Sequence, residues 1–117
     1  MSNNTDLGTV QIRNEVIGTI AALAAQEVSG VSELWKPLPL PFWMGIPPVR
    51  VDVRDQEVRL ALCLVVDYGA DVPTVANQVQ DHVREMIDRM THLTAVEVNV
   101  SIHHVKRKKE NGRGGER

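Results

Sequence analysis

The stretch "VVDYGADVPTVANQVQDHVREMIDRMTHLTAVEVNVSIHHV", residues 65–105, decides the fold. Its middle predicts a long helix and its ends predict strands. Asp71 is placed to cap the helix, because its side-chain oxygen can accept from an N–H that the first turn leaves unpaired. Pro73 follows in that first turn, where a missing N–H does no harm. Val72, Val75, Ala76, Val79, Val83, Met86, Ile87 and Met90 recur at three- and four-residue spacing and form one apolar stripe. Gln78, Asp81, Arg84, Glu85 and Asp88 occupy the other side. After the helix, "AVEVNVSIHHV" (95–105) alternates, with Val96, Val98, Val100 and Ile102 on one face of a strand.

The pattern extends toward the N-terminus. "EVRLALCLVVDYG" (57–69) puts Val58, Leu60, Leu62, Leu64 and Val66 on one face. "VRVDVR" (49–54) puts Val49, Val51 and Val53 on one side and Arg50, Asp52 and Arg54 on the other. The connection between these two is short enough for a hairpin. "GTVQIRNEVIGTIAALAAQEVSGV" (8–31) reads as a short strand and then a helix. Asn14 is its expected cap and Gly30 its expected stop. Val16, Ile17, Ile20, Leu23, Ala24 and Val28 are its expected buried face, and Gly18 allows close packing. "VSELW" (31–35) is a candidate short strand.

The order β-α-(β)-β-β-α-β predicts an α+β fold, a two-layer sandwich with two helices packed on one face of a small mixed sheet. The uncovered face would carry Arg50, Asp52, Arg54, Arg59, Glu97, Asn99, Ser101 and His103. This divides the chain into a flexible N-terminus (1–7), a single domain (8–105) and a basic tail (106–117). With 117 residues the chain suits one domain with a modest core. No apolar run reaches bilayer-crossing length, and "MSNNTDLGTV" has neither the basic start nor the apolar core of a secretory signal. One cysteine, Cys63, excludes an internal disulfide and fits a reducing cytoplasm.

The net charge of −2 conceals an asymmetry. Residues 1–105 hold seven Lys/Arg against thirteen Asp/Glu, a net of −6. The tail "KRKKENGRGGER" holds six against two, a net of +4, and nothing apolar to bury, so it is expected to be disordered. Its cluster Lys106, Arg107, Lys108 and Lys109 could meet anionic lipid headgroups or phosphates, or simply solubilise. An acidic body repels a nucleic-acid backbone, so nucleic acid is the less expected partner.

Residues 8–31 and 65–105 together resemble the bacterial alkaline shock protein family, also called envelope stress response proteins. The shared features are a glycine, a short strand, a polar cap and a helix closing in Gly-Val. A strand ending in Tyr-Gly follows, then a Val-Pro turn, a helix closing in Met-Thr-x-Leu, and Val-x-Val-x-Val. The family's usual glycine after Met-Thr is His92 here, and the connection 36–48 is not the Gly-rich or charged one common in the family. The resemblance implies a small, cytoplasmic, non-enzymatic protein that acts in cell-envelope stress by protein–protein contact and self-association. A separate membrane anchor protein is among its implied partners, and it would lie at the inner face of the cell membrane. A small RNA- or ribosome-associated protein is the alternative, binding through the tail.

The residues themselves show no constellation for catalysis. His103 and His104 are neighbours on a strand and should face opposite ways, and His82 and His92 are ten apart, so no metal site is expected. Cys63 reads as a half-buried structural thiol; a nucleophile would need a base, and His103 shares its face. Asp81, Glu85 and Asp88 lie at ion-pair spacing from Arg84 and Arg89. "GRGGER" follows no strand and opens no helix, so it is not a phosphate loop. No cofactor is expected.

One segment remains, "LWKPLPLPFWMGIPPVR" (34–50). It carries five of the six prolines, both tryptophans and the one phenylalanine. Prolines 37, 39, 41, 47 and 48 forbid a helix and spoil a central strand. Three roles fit its loop, 36–48. Trp35, Phe42, Trp43 and Met44 could fold back over an open edge of the domain, fill a partner's pocket as a stiffened docking element, or sit at a membrane interface. These four are the candidate partner-contact residues.

Overall fold

The computed structural model describes residues 2–5, 8–35 and 49–107. The elements are β1 (Ser2–Thr5), β2 (Gly8–Gln11), α1 (Asn14–Gln26), β3 (Val31–Leu34), β4 (Val49–Arg54), β5 (Glu57–Asp67), α2 (Val72–Thr91) and β6 (Thr94–Lys106). β1 lies within the expected flexible N-terminus, yet it pairs antiparallel with β2 as a separate hairpin. The remaining strands build one mixed sheet around β5, with β3 and β4 antiparallel to it and β6 parallel. The parallel pair follows from the β5–α2–β6 crossover. Both helices cover one face, as the sandwich reading requires. Ile17, Ile20, Ala21, Ala24 and Ala25 of α1 and Val75, Val79, Val83 and Ile87 of α2 close over Val58, Leu60, Leu62, Leu64 and Val66.

α2 forms as its sequence predicts, except that Met90 of the expected apolar stripe is 58% exposed. Asp71 Oδ1 accepts from the Thr74 N–H at 3.3 Å, and proline occupies the first turn. The helix stops at His92, which takes the left-handed conformation (φ 62°) and donates its N–H to the Asp88 carbonyl at 2.9 Å. Glycine would meet that geometry without a Cβ penalty. Thr91 is buried, but its hydroxyl donates to the Ile87 carbonyl at 2.6 Å and accepts from the Leu93 N–H at 3.1 Å.

α1 departs from expectation at three points. Arg13, not Asn14, holds the N-cap position and supplies no side-chain bond. Gly30 is not the stop. The helix ends at Gln26, where the Glu27 and Val28 N–H groups bond back to the Ala24 and Ala25 carbonyls in a tightened last turn. Gly30 serves close approach instead: a Cβ there would stand 2.6 Å from Val75 Cγ2. Val16 and Leu23 are 50% and 56% exposed, so they do not belong to the buried face. Ala21 and Ala25 take those places, since small side chains bring the helix close to its neighbours.

β6 also corrects the expected alternation. Val58 faces Ala95 but Arg59 faces Glu97, so one extra residue, Val96, sits in the strand as a bulge. Ala95 is buried and Val96 is exposed. Beyond it Val98, Val100 and Ile102 pack on the core as expected. The strand runs to Lys106, one residue into the expected disordered tail. The outer edge of β6 is partly covered, because Gln80 Nε2 donates to the Val98 carbonyl at 3.0 Å and Arg84 Nε to the Ala95 carbonyl at 3.2 Å. Charged or polar side chains over an edge discourage unwanted strand pairing.

The register on the opposite edge explains the proline-rich segment. Leu34 faces Leu64, and the Trp35 N–H bonds to the Cys63 carbonyl at 2.8 Å. Val49 then faces Leu62. β3 and β4 are therefore two halves of one edge strand. Residues 36–48 are an insertion that leaves and re-enters it at a single register step.

Candidate functional site

Strand alternation and the register place Arg50, Asp52, Arg54, Arg59, Glu97 and Asn99 on the face away from the helices. Arg54 Nε lies 3.3 Å from Asp52, and Arg59 lies 3.7 Å from both Glu57 and Glu97. Asn99 Nδ2 donates to Glu97 at 2.5 Å. All these groups are exposed, so each pair adds little stability. The face holds a shallow concavity of about 330 Å³ that includes Arg50, Asp52, Arg59 and Asn99. It is a flat surface of mixed charge.

Its character changes toward Trp35. The indole lies against the His103 imidazole with ring centroids 4.4 Å apart and planes 22° apart. Trp35 follows β3 on one flank of β5 and His103 lies in β6 on the other, so the stack spans β5. Val65 of β5 is only 2% exposed although it lies outside the helix-packed core. An aromatic pair thus makes a small second apolar cluster on the open face. His103 is the extra residue at a second bulge, since Leu64 faces Ile102 and Val65 faces His104. That bulge breaks the strict alternation expected for the two histidines. The nearest hollow, about 440 Å³, is lined by Gln26, Glu33, Leu34, Trp35, Val65 and His104, and includes neither Cys63 nor His103. Cys63 is half-buried.

The basic end of β6 adjoins this region. Lys106 Nζ lies 3.7 Å from Glu33, and the Arg107 guanidinium stands 5.6 Å from the centroid of the exposed Tyr68 ring. Elsewhere, His82 Nε2 contacts Glu27 Oε1 at 2.6 Å and ties the end of α1 to α2, and Arg89 pairs with Glu85 at 2.9 Å. Of the candidate contact residues, Trp35, Lys106 and Arg107 fall within this surface; Phe42, Trp43, Met44, Lys108 and Lys109 lie outside the described residues. Among the described residues no three His, Cys, Asp or Glu side chains gather as metal ligands, and no helix is long and apolar enough to cross a membrane. The Trp35–His103 stack was not foreseeable from spacing, because it joins two strands across a third.

Comparison with known proteins places this architecture. A family model described as having a cell envelope-related function, that of the alkaline shock protein 23 family, matches residues 46–107. The chain is 35% identical over 109 residues to the uncharacterized protein YqhY of Bacillus subtilis, covering 85% of this chain and 78% of that protein. It is 36% identical over 62 residues to a stress response regulator gls24 homolog of Streptococcus pyogenes, covering 53% of this chain but 35% of that protein. Among solved structures it resembles a manganese form of the MamM CTD (TM-score 0.54, 20% identity, 79% of this chain and 99% of that one). It likewise resembles a copper form (TM-score 0.55, 16% identity, 83% and 91%). At such identities the likeness concerns the fold. The sequence relationships, spanning most of the chain, make it a member of the alkaline shock protein 23 family.

Proposed function

We propose that this chain is a non-enzymatic adaptor of the bacterial cell-envelope stress response, working by protein–protein contact and self-association at the inner face of the cytoplasmic membrane. The observation that carries the proposal is the uncovered sheet face. It carries exposed ion pairs of both signs, Arg54 with Asp52 and Arg59 with Glu97, and ends in an aromatic stack. A flat surface of mixed charge with an aromatic anchor at one end suits a protein partner, since aromatic side chains dominate contact energetics and surrounding charges set orientation. Several of the chain's titratable side chains are engaged in contacts: Glu57 and Glu97 with Arg59, His82 with Glu27, and His103 with Trp35. The basic end at Lys106 and Arg107 would add attraction to anionic headgroups.

The test is crosslinking in fractionated native cells, comparing wild type with Arg59→Glu and Trp35→Ala. The expected result is loss of specific crosslinked partners in both variants, with the protein still folded by circular dichroism. Retention of every wild-type crosslink would overturn the assignment of this face. A pool of the protein confined to ribosomes would favour an RNA-associated role instead.

A further inference from the structure

β6 is the outer strand on its side of the sheet, and among the described residues no strand pairs with its outer edge. Trp35 and Val49, which flank residues 36–48, lie on the other flank of β5. The Ala95 and Val98 carbonyls point away from β5, since they accept from Arg84 and Gln80 of α2. Strand alternation then turns the N–H and C=O of Val100 and Ile102 outward too, while those of Ser101 face β5. The Lys106 carbonyl accepts from the Tyr68 N–H and so points inward, which leaves Val105 outward. Beyond Val98 the side chains of Asn99, Ser101, His103, His104 and Val105 are exposed. An edge of this length with outward main-chain groups is a template for a further strand.

We infer that this edge pairs antiparallel with β6 of a second copy of the chain, about a two-fold axis at Ser101, joining two sheets into one. This extends the self-association proposed above to a surface other than the open face. The sequence of β6 is self-complementary under that rotation. Val100 stands opposite the partner's Ile102 and exchanges both main-chain bonds with it, and the axis repeats the pair as Ile102 with the partner's Val100. Ser101 meets the partner's Ser101. Asn99 faces the partner's His103 and His104, the bulged pair, which is the two-against-one match that a bulge makes in an antiparallel ladder. That extra residue keeps the faces in phase. Val98 then meets the partner's Val105; both lie on the helix side, in register with Leu60 and Val66, and Val105 is 45% exposed in the single chain. Glu97 meets the partner's Lys106 on the open side, a carboxylate against an ammonium. These two already lie near Arg59 and Glu33, so the new contact extends a network of both signs. Valine against valine, opposite charges and a bulge against one residue all arise from a single strand turned on itself. That identifies the occupant as a second copy rather than an unrelated peptide.

The test is sedimentation equilibrium of the purified full chain over a range of concentrations. The expected result is a reversible dimer. Ser101→Lys sets two like charges face to face at the axis and should weaken it several-fold, while the far-ultraviolet circular dichroism stays native. Glu97→Lys should weaken it as well, and adding Lys106→Glu should restore it, although neither change can restore the contacts with Arg59 and Glu33 within one chain. In a Cys63→Ser background, Ser101→Cys should oxidise to a disulfide-linked dimer. Opposed residues that share no main-chain bonds stand about 4.5 Å apart at Cα, within disulfide reach. Asn99→Cys in the same background should not, because the two copies of that residue stand roughly 13 Å apart. Arg50→Glu, on the open face of β4, should leave the dimer intact. A chain that is monomeric at every concentration, equal crosslinking at 99 and 101, or a dimer lost in Arg50→Glu overturns the inference. Dimerisation of the purified chain and crosslinking to partners in cells are separate readouts, so this inference and the adaptor reading can fail independently.

Discussion

The two helices pack on the same sheet face but are specified very differently. α2 carries a carboxylate cap at Asp71, a proline in its first turn and a single buried apolar stripe, Val75, Val79, Val83 and Ile87. α1 has Arg13 at its N-cap without a capping bond, and apolar residues around most of its circumference. Several faces of α1 satisfy a three–four spacing, and only packing chooses among them. The alanine-rich face won because the close approach to sheet and α2 admits small side chains, and it leaves Val16 and Leu23 in solvent. A helix with one apolar side declares its orientation; a helix with two needs the rest of the fold.

Substitutions should expose that contrast. Ile87→Ala in α2 empties a fully buried site and should cost about 2–5 kcal/mol in urea unfolding. Leu23→Ala, the matching change on α1, should stay within about 0.5 kcal/mol, and a loss as large as that at Ile87 would break the comparison. Asp71→Ala should cost about 1 kcal/mol by removing the cap of α2. Arg13→Asp should move α1 the other way, stabilising by roughly 0.5–1 kcal/mol, because it supplies the missing acceptor and an acidic charge at a helix N-terminus. His92→Gly should stabilise by roughly 1 kcal/mol, since the native left-handed backbone costs a residue with a Cβ about that much. A melting temperature lowered by His92→Gly would show that the imidazole makes a contribution larger than the backbone strain.

The same contrast runs through the sheet. β5 alternates so regularly that its inner face, Val58 to Val66, is legible from the residues alone. β6 looks equally regular, yet bulges at Val96 and His103 shift which residues face inward. A bulge leaves no mark in an alternating Val-x-Val sequence, because both phases present acceptable side chains. The candidate surface shows the same division. Arg50, Asp52, Arg54, Arg59, Glu97 and Asn99 could be assigned to one face by parity, whereas the Trp35–His103 stack required knowing that β3 and β6 flank the same strand.

The sequence by itself determined the α+β class, the element order from β2 onward, the capped stripe of α2, the family and the polar character of the open sheet face. Each is written in local periodicity or in motif spacing, which short-range sterics and burial enforce. Tertiary structure alone decided that β3 and β4 are one interrupted edge strand, that α1 buries its alanines, and that Trp35 stacks on His103 across β5. Those outcomes depend on contacts between residues far apart in the chain, and local preferences leave such contacts open.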